Sequence, residues 1–169
     1  MHGTTRPGGA WESPRDIVYG PECDRFEPIV ACSKAQAWRY ASDVVFAGHQ
    51  SDPVPYFAAM DVLVMPSRTE GFGRSAVEAM AMAKPVIASD VGALPEIVSN
   101  GLTGYNFRDG DVDALADRMN ELAADEQKRA TFGLRARALA EERFDLKAML
   151  SKLQSIYTAL LNGSEGQWR

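Results

Sequence analysis

Two short apolar runs constrain the fold of this 169-residue chain more than any other feature. The first is Val62–Met65, which Pro66 ends, and the second is Val86–Ala88, which follows Lys84-Pro85. Runs of this length without polar alternation are typical of strands buried on both faces of a parallel sheet. Helix formers without Gly or Pro fill Ser75 to Met82 between them. The order strand, loop, helix, strand predicts an α/β fold: a Rossmann-like parallel sheet with helices on both faces.

The loop between the first run and the helix contains Gly71 and Gly73, bracketed by Glu70 and Glu78. Ligands of such sheets gather at the carboxyl ends of the strands, where this loop lies. Glycine lets a bulky ligand approach the backbone, and the following helix offers unpaired N–H groups and a positive dipole end. Arg74 adds a positive charge. We interpret this segment as a binding site for a sugar diphosphate.

Each glutamate also has a purely structural interpretation. Ser75-x-x-Glu78 has the spacing of a capping box, and Ser67-x-x-Glu70 has the same spacing. The glycines that follow Glu70 disfavour a helix there, which weakens the capping interpretation for that residue. For Glu78 the capping role and the ligand-binding role both stay open.

The stretch from about Asp43 to Leu161 resembles the carboxyl-terminal nucleotide-binding domain of retaining glycosyltransferases of family 4, which have the GT-B fold. Glu70-Gly-Phe-Gly-Arg-Ser-Ala-Val-Glu78 resembles the E-x7-E signature of that family. Further similar segments follow in the same order: Lys84-Pro-Val-Ile-Ala-Ser-Asp90-Val-Gly, Pro95-Glu96-Ile-Val, Asn100-Gly101-Leu-Thr-Gly104 and Asp109-Gly-Asp111.

The resemblance implies a hexosyl-type transferase that moves a sugar from a nucleoside diphosphate (UDP, GDP or ADP) to an acceptor hydroxyl with retained anomeric configuration. Glu70 would be the catalytic residue beside the donor sugar, and Glu78 would bind the ribose hydroxyls. The backbone N–H groups of residues 72–74 would contact the sugar and the diphosphate. The other implied donor-binding residues are Gly71, Phe72, Gly73, Arg74, Ser75, Gly48 and His49. No metal and no cofactor is implied. For His49, an exposed loop position is the alternative.

The predicted domain organisation is an irregular arm or linker with a short helix over 1–40, a donor-binding domain over 41–162 and a flexible tail over 163–169. Val44–Ala47 is the first strand that we predict. By comparison with the family, the first strand–helix units of the domain, an Arg and a Lys that clamp the diphosphate, and the amino-terminal acceptor lobe are expected to be missing from this chain.

The remaining elements follow from local signals. Asp52-Pro53 opens a helix over Val54–Met60, and Pro95 opens a short one. Gly104–Phe107 predicts the last strand. Two helices follow, one capped by Asp111 and ending near Ala124, the other over Glu126–Arg143 with Gly133 as a weak point.

Composition excludes several functional classes. The net charge of −5 disfavours a nucleic-acid partner. No apolar stretch approaches the roughly 18 residues of a membrane span, and the start lacks the apolar core of a secretion signal. Cys23 and Cys32 match no zinc pattern. We expect a cytoplasmic protein, with peripheral association at the inner membrane face left open.

Asp145 caps a last helix whose apolar residues recur at intervals of three and four. Such a stripe packs on its own domain in most proteins, whereas in GT-B proteins the terminal helix crosses to the other lobe. If exposed, it would favour a homo-oligomer.

Two other functions compete with sugar transfer. A nucleotide-sugar-binding or interaction module without activity of its own would keep the fold and lose the chemistry. A different GT-B enzyme, such as a sugar-nucleotide epimerase, is disfavoured by the Glu70–Glu78 spacing.

Overall fold

The computed structural model describes residues 16–18, 44–46 and 50–161. Its strands are β1 Asp16–Val18, β2 Val44–Phe46, β3 Leu63–Met65, β4 Val86–Ser89 and β5 Gly104–Phe107. Its helices are α1 Val54–Ala59, α2 Arg74–Ala81, α3 Leu94–Ile97, α4 Val112–Ala124, α5 Glu126–Arg143 and α6 Leu146–Leu161.

Strands β3, β4 and β5 form a parallel sheet in that order, with β4 in the middle. Leu63 pairs with Val86, and Val86 pairs with Gly104. All four residues of β4 are buried, as the apolar run without polar alternation predicted. Strands β1 and β2 form a second parallel pair. The predicted Rossmann-like parallel sheet is confirmed.

Helices cover both faces of the three-stranded sheet. Val86 and Ala88 of β4 belong to one core cluster, which includes residues of α2, α3 and α5. Ile87 lies between them in sequence and belongs to the other cluster, with Leu122 of α4 and Phe132 of α5. Because successive side chains of a strand point to opposite faces, the two clusters lie on opposite sides of β4.

The strand β1 was not expected, since 1–40 was predicted to be an irregular arm. Its backbone pairs in parallel with β2, with Asp16 opposite Val44. The arm prediction is therefore wrong at residues 16–18. The stretch is rich in Gly, Pro and charged residues, and the single apolar pair Ile17-Val18 is too short to indicate a strand. Its partner strand lies 28 residues further along the chain, so that no local pattern reveals the pairing. The predicted short helix near 33–39 and the tail over 163–169 lie outside the described residues.

The long helices begin as their caps predicted. Asp111 Oδ1 accepts the N–H of Ala114 at 2.9 Å at the start of α4. Asp145 Oδ1 accepts the N–H of Ala148 at 2.8 Å at the start of α6. These side chains satisfy N–H groups that the helix itself leaves unpaired. Helix α5 has the predicted bounds and continues through Gly133.

Helix α6 contributes no buried residue to the described structure. Its apolar side chains are exposed, including Leu146, Met149, Leu150, Leu153, Tyr157, Leu160 and Leu161. Packing of this stripe on its own domain is therefore not seen among residues 50–161. None of the described helices is long and apolar enough to cross a membrane.

Candidate functional site

The loops that follow β3, β4 and β5 meet at one edge of the sheet, because parallel strands end on the same side. The N–H of Asp90 donates to the carbonyl oxygen of Phe107 at 2.8 Å. In turn, Asp90 Oδ1 accepts the N–H of Asp109 at 3.1 Å. These two bonds hold the loops after β4 and β5 together beside the loop that contains Glu70.

The segment Glu70–Gly73 forms a tight turn into α2. The N–H of Gly73 donates to Glu70 Oε1 at 3.0 Å, so that the carboxylate closes the turn. Gly73 is the N-cap of α2 and has a φ of +85°, a left-handed conformation that favours glycine. A Cβ at Gly73 would lie 2.8 Å from Leu94 Cδ2. The missing side chain therefore makes room for α3.

Gly71 differs from Gly73 because a Cβ built there would meet no atom within 4 Å. The residue is exposed, and of the two glycines it is the one that leaves space beside the turn. From the sequence alone, both glycines were expected to leave space for a ligand.

The loop after β4 confines the main chain of Glu70. A Cβ at Gly92 would lie 1.8 Å from the carbonyl oxygen of Glu70, and Gly92 has a φ of +54°. Only glycine fits this approach without a shift of one of the two loops. The backbone of Glu70 is thus fixed by a contact between residues 22 positions apart in the sequence.

Glu78 lies in the second turn of α2 and faces solvent. Its Oε1 is 3.4 Å from Nη2 of Arg74, and the two side chains are 39% and 84% exposed, respectively. The capping-box interpretation is wrong, because the N-cap is Gly73 and Ser75 is already helical. The box proposed for Ser67 and Glu70 is also absent, since no helix begins between residues 67 and 73.

The predicted site residues from 70 to 78 therefore lie on one continuous turn and helix. One detail departs from the expectation: the N–H of Gly73 is engaged by Glu70 and is not directed at a ligand. The first helical N–H with an acceptor in the described structure is that of Ala76, which donates to Gly73 O. Gly48 and His49 lie outside the described residues.

Phe72 is half exposed and packs against Phe144, which no sequence pattern singled out. Its ring meets that of Phe144 edge-on, with centroids 6.0 Å apart and an interplanar angle of 87°. Phe144 lies at the carboxyl end of α5, where Arg143 donates to Glu96 O at 3.1 Å. No local pattern signals a contact between residues 72 and 144, because it depends on the tertiary packing of α5.

A second group of charged side chains joins β5, α4 and α5. Glu121 Oε1 accepts bonds from the Tyr105 hydroxyl at 2.6 Å and from Lys128 Nζ at 2.7 Å. Glu121 Oε2 accepts a bond from Arg118 at 2.9 Å. The bond from Lys128 contributes most to lowering the pKa of Glu121 to about 2, and the bonds from Tyr105 and Arg118 add to this effect. Burial and the bond to Glu121 raise the pKa of Tyr105.

In the described part of the chain, no three His, Cys, Asp or Glu side chains are grouped so that they could hold a metal ion. The charged side chains of the turn and helix are Glu70, Arg74 and Glu78, and Asp90 lies in the adjoining loop.

Residues 17–125, more than half of the chain, match the family described as "Glycosyl transferases group 1". The chain is 37% identical over 125 residues to the capsular polysaccharide biosynthesis glycosyltransferase CapM of Staphylococcus aureus, a match that covers 74% of this chain and 33% of CapM. The chain spans about a third of the length of the curated relatives it matches.

Solved structures of similar proteins include HepE of Anabaena in complex with UDP, with a TM-score of 0.74 and 30% identity over 82% of this chain and 38% of HepE. HepE in complex with UDP-glucose has a TM-score of 0.71 and 31% identity, over 80% and 38% of the two chains. The C-terminal domain of the group 1 glycosyl transferase LpcC of Francisella tularensis has a TM-score of 0.66 and 27% identity, over 77% and 69%.

Proposed function

Because the chain belongs to the group 1 family of glycosyl transferases, we propose that it is the donor-binding domain of a retaining glycosyltransferase and binds a nucleoside diphosphate sugar. The observation that carries the proposal is that Glu70 and Glu78 lie on one turn and helix at the carboxyl edge of the sheet, where ligands of parallel sheets commonly bind. The complexes of HepE with UDP and UDP-glucose favour uridine among the possible bases.

Glu78 binds the ribose of the donor in this proposal. A carboxylate accepts hydrogen bonds on both oxygens, so that it can take both hydroxyls of a ribose diol. The side chain is 39% exposed, and the one bond that it makes to the described residues, from Arg74, is long. A ligand could therefore replace or share that bond without opening the core.

The start of α2 receives the diphosphate. In the described structure, the N–H groups of Arg74 and Ser75 have no acceptor, since the first helical hydrogen bond is that of Ala76. Unpaired N–H groups and the positive end of the helix dipole suit an anion without reorganisation. The exposed guanidinium of Arg74 adds a cation beside them.

Glu70 faces the donor sugar and stabilises positive charge at the anomeric carbon. In the full reaction, the bond from this carbon to the diphosphate oxygen breaks, and the electron pair leaves with the diphosphate. The acceptor oxygen then bonds to the same face of the carbon and gives its proton to the departing diphosphate. Interactions that strengthen as the diphosphate gains charge accelerate this step. In this proposal the acceptor binds to a second lobe, which the greater length of the relatives supports.

A second candidate is a nucleotide-sugar-binding module that transfers nothing without a partner lobe. It is favoured by the exposed apolar side chains of α6, a face that a partner lobe would cover.

Calorimetric titration of the chain with UDP-, GDP- and ADP-glucose tests the proposal. We expect binding of at least one of them, strongest for UDP-glucose, and weaker binding by a Glu78→Gln variant. Glu142→Gln, an exposed glutamate on α5, is the matched control and should bind as the unmodified chain does. Absence of binding to all three would overturn the proposal. Binding without hydrolysis or transfer would favour the second candidate.

A further inference from the structure

The last residue of β4 carries a buried hydroxyl that contacts the main chain of the loop before Glu70. Ser89 is fully buried, and its Oγ lies 2.5 Å from the carbonyl oxygen of Ser67 and 3.4 Å from that of Met65. A serine hydroxyl has one hydrogen to donate. The shorter distance identifies Ser67 O as its principal acceptor.

This bond acts on a segment that has no regular structure of its own. Between the end of β3 at Met65 and the start of α2 at Arg74, the chain forms neither helix nor strand. Two contacts hold it from the β4 side: the hydroxyl of Ser89 at Ser67, and the backbone of Gly92 at Glu70 O. Both arise from the same four-residue stretch, 89–92.

We propose that Ser89 is a positioning residue that sets the place of the Glu70 carboxylate relative to the donor sugar. The inference rests on the proposed function. Loss of the hydroxyl leaves the carbonyl of Ser67 without its donor and frees the loop to shift by a fraction of an ångström. Small misplacements of groups that contact a reacting substrate have large effects on its binding and reaction.

The effect should separate the two parts of the donor. Glu78 lies on α2, which the buried side chains of Ala76, Ala79 and Met80 anchor in the core. The nucleotide should therefore bind a Ser89 variant almost normally, whereas contacts to the sugar are lost. A general loss of stability would not discriminate between UDP and UDP-glucose.

The test is to measure the dissociation constants of UDP and UDP-glucose for the unmodified chain and for Ser89→Ala. We expect the dissociation constant of UDP-glucose, divided by that of UDP, to rise by about tenfold in Ser89→Ala. The dissociation constant of UDP itself should stay within about twofold of its original value. Ser89→Cys, which keeps the size and a weak donor, should give an intermediate ratio and serves if the alanine variant does not fold.

Thr103→Ala is the matched control. Thr103 is a buried polar residue like Ser89, and its Oγ1 accepts the N–H of Ser99 at 2.9 Å. It precedes β5 and so lies at the opposite edge of the sheet. This variant should lose thermal stability as Ser89→Ala does and leave the ratio for the two ligands unchanged.

Combination with Glu70→Gln completes the test. If Ser89 acts through Glu70, the double variant should discriminate against UDP-glucose no more than Glu70→Gln alone. An unchanged ratio in Ser89→Ala, equal losses for both ligands, or additive losses in the double variant would overturn the inference and leave the proposed function intact. A chain that binds neither ligand would refute the proposed function, and with it this inference.

Discussion

The carboxylate of Glu121 and those of Glu70 and Glu78 differ in how many hydrogen-bond donors they receive from the protein. The Glu121 carboxylate receives three donors on its two oxygens, from Tyr105, Lys128 and Arg118. Glu70 receives one backbone N–H, and Glu78 receives one long bond from Arg74. Among the described residues, the acidic groups of the turn and helix therefore keep accepting capacity that Glu121 has used.

This difference distinguishes a structural carboxylate from one that can bind a ligand. A carboxylate with three protein donors holds elements together, here β5, α4 and α5. Lone pairs that no donor occupies are available to hydroxyl groups of a sugar or ribose. A choice of ligand-binding carboxylate by perturbed pKa alone would have selected Glu121, since its pKa is lowered to about 2.

The largest expected effect comes from the loop that fixes Glu70. Gly92→Ala should lower the free energy of unfolding by about 3 kcal/mol, because a Cβ collides with Glu70 O and the left-handed conformation is strained. Chemical denaturation measures this loss. Gly101→Ala is the control, since its φ is +74° but no atom lies within 4 Å of the Cβ position. It should lose only about 1 kcal/mol. Equal losses would show that the contact with Glu70 is unimportant.

Removal of the Glu78 carboxylate, which has few protein donors, should affect ligand binding and not folding. Glu78→Ala is expected to weaken donor binding by about 2 kcal/mol, the typical value for hydrogen bonds to a charged group. Its stability should change by less than about 0.5 kcal/mol, as for other surface substitutions. Titration with UDP and thermal unfolding measure the two quantities. Unchanged affinity with a lower melting temperature would show that Glu78, like Glu121, has a structural role.

Removal of the Glu121 carboxylate should lower stability and leave ligand binding unchanged. Glu121→Gln should cost about 1 kcal/mol of stability, a value reduced because the carboxylate is one-third exposed and screened by solvent. Donor affinity should stay the same. Glu141→Gln, in an exposed pair with Arg137, is the control and should change stability by close to zero. A loss of UDP affinity in Glu121→Gln would contradict the distinction drawn between the two groups.

The stabilising effect of Glu121 should depend on pH with a definite sign. Its pKa is about 2 in the folded chain and 4.5 ordinarily, so the folded state favours the charged form. The stabilisation is present above pH 4.5 and disappears as the pH falls towards 2. The difference in melting temperature between the unmodified chain and Glu121→Gln should therefore shrink across this window. A constant difference would mean that packing, not charge, accounts for the loss.

Local patterns predicted most of the sheet and the long helices. The buried β4, the strand Gly104–Phe107 and the caps at Asp111 and Asp145 all follow from residues close together in sequence. The capping box at Ser75 was the exception, because a left-handed glycine at 73 starts the helix two residues earlier than the spacing implied.

Contacts between distant segments were not predictable from one sequence. Strand β1 depends on a partner 28 residues away, and Phe72 meets Phe144 only because α5 folds back beside α2. Ser89 was not among the residues selected from the sequence, although its hydroxyl reaches Ser67. The residues of the turn and helix were found from the sequence, whereas the contacts that hold them in place needed the structure.

The central claim is that the turn and helix from Glu70 to Glu78 bind a nucleoside diphosphate sugar. Backbone amide shifts of the isotope-labelled chain, followed by NMR during titration with UDP-glucose, test it most directly. The account predicts that the saturable shifts are largest at residues 70–78 and in the adjoining loop at 90–92, with none around Glu121. Largest shifts at the exposed face of α6 or around Glu121, or no saturable shifts at all, would contradict it.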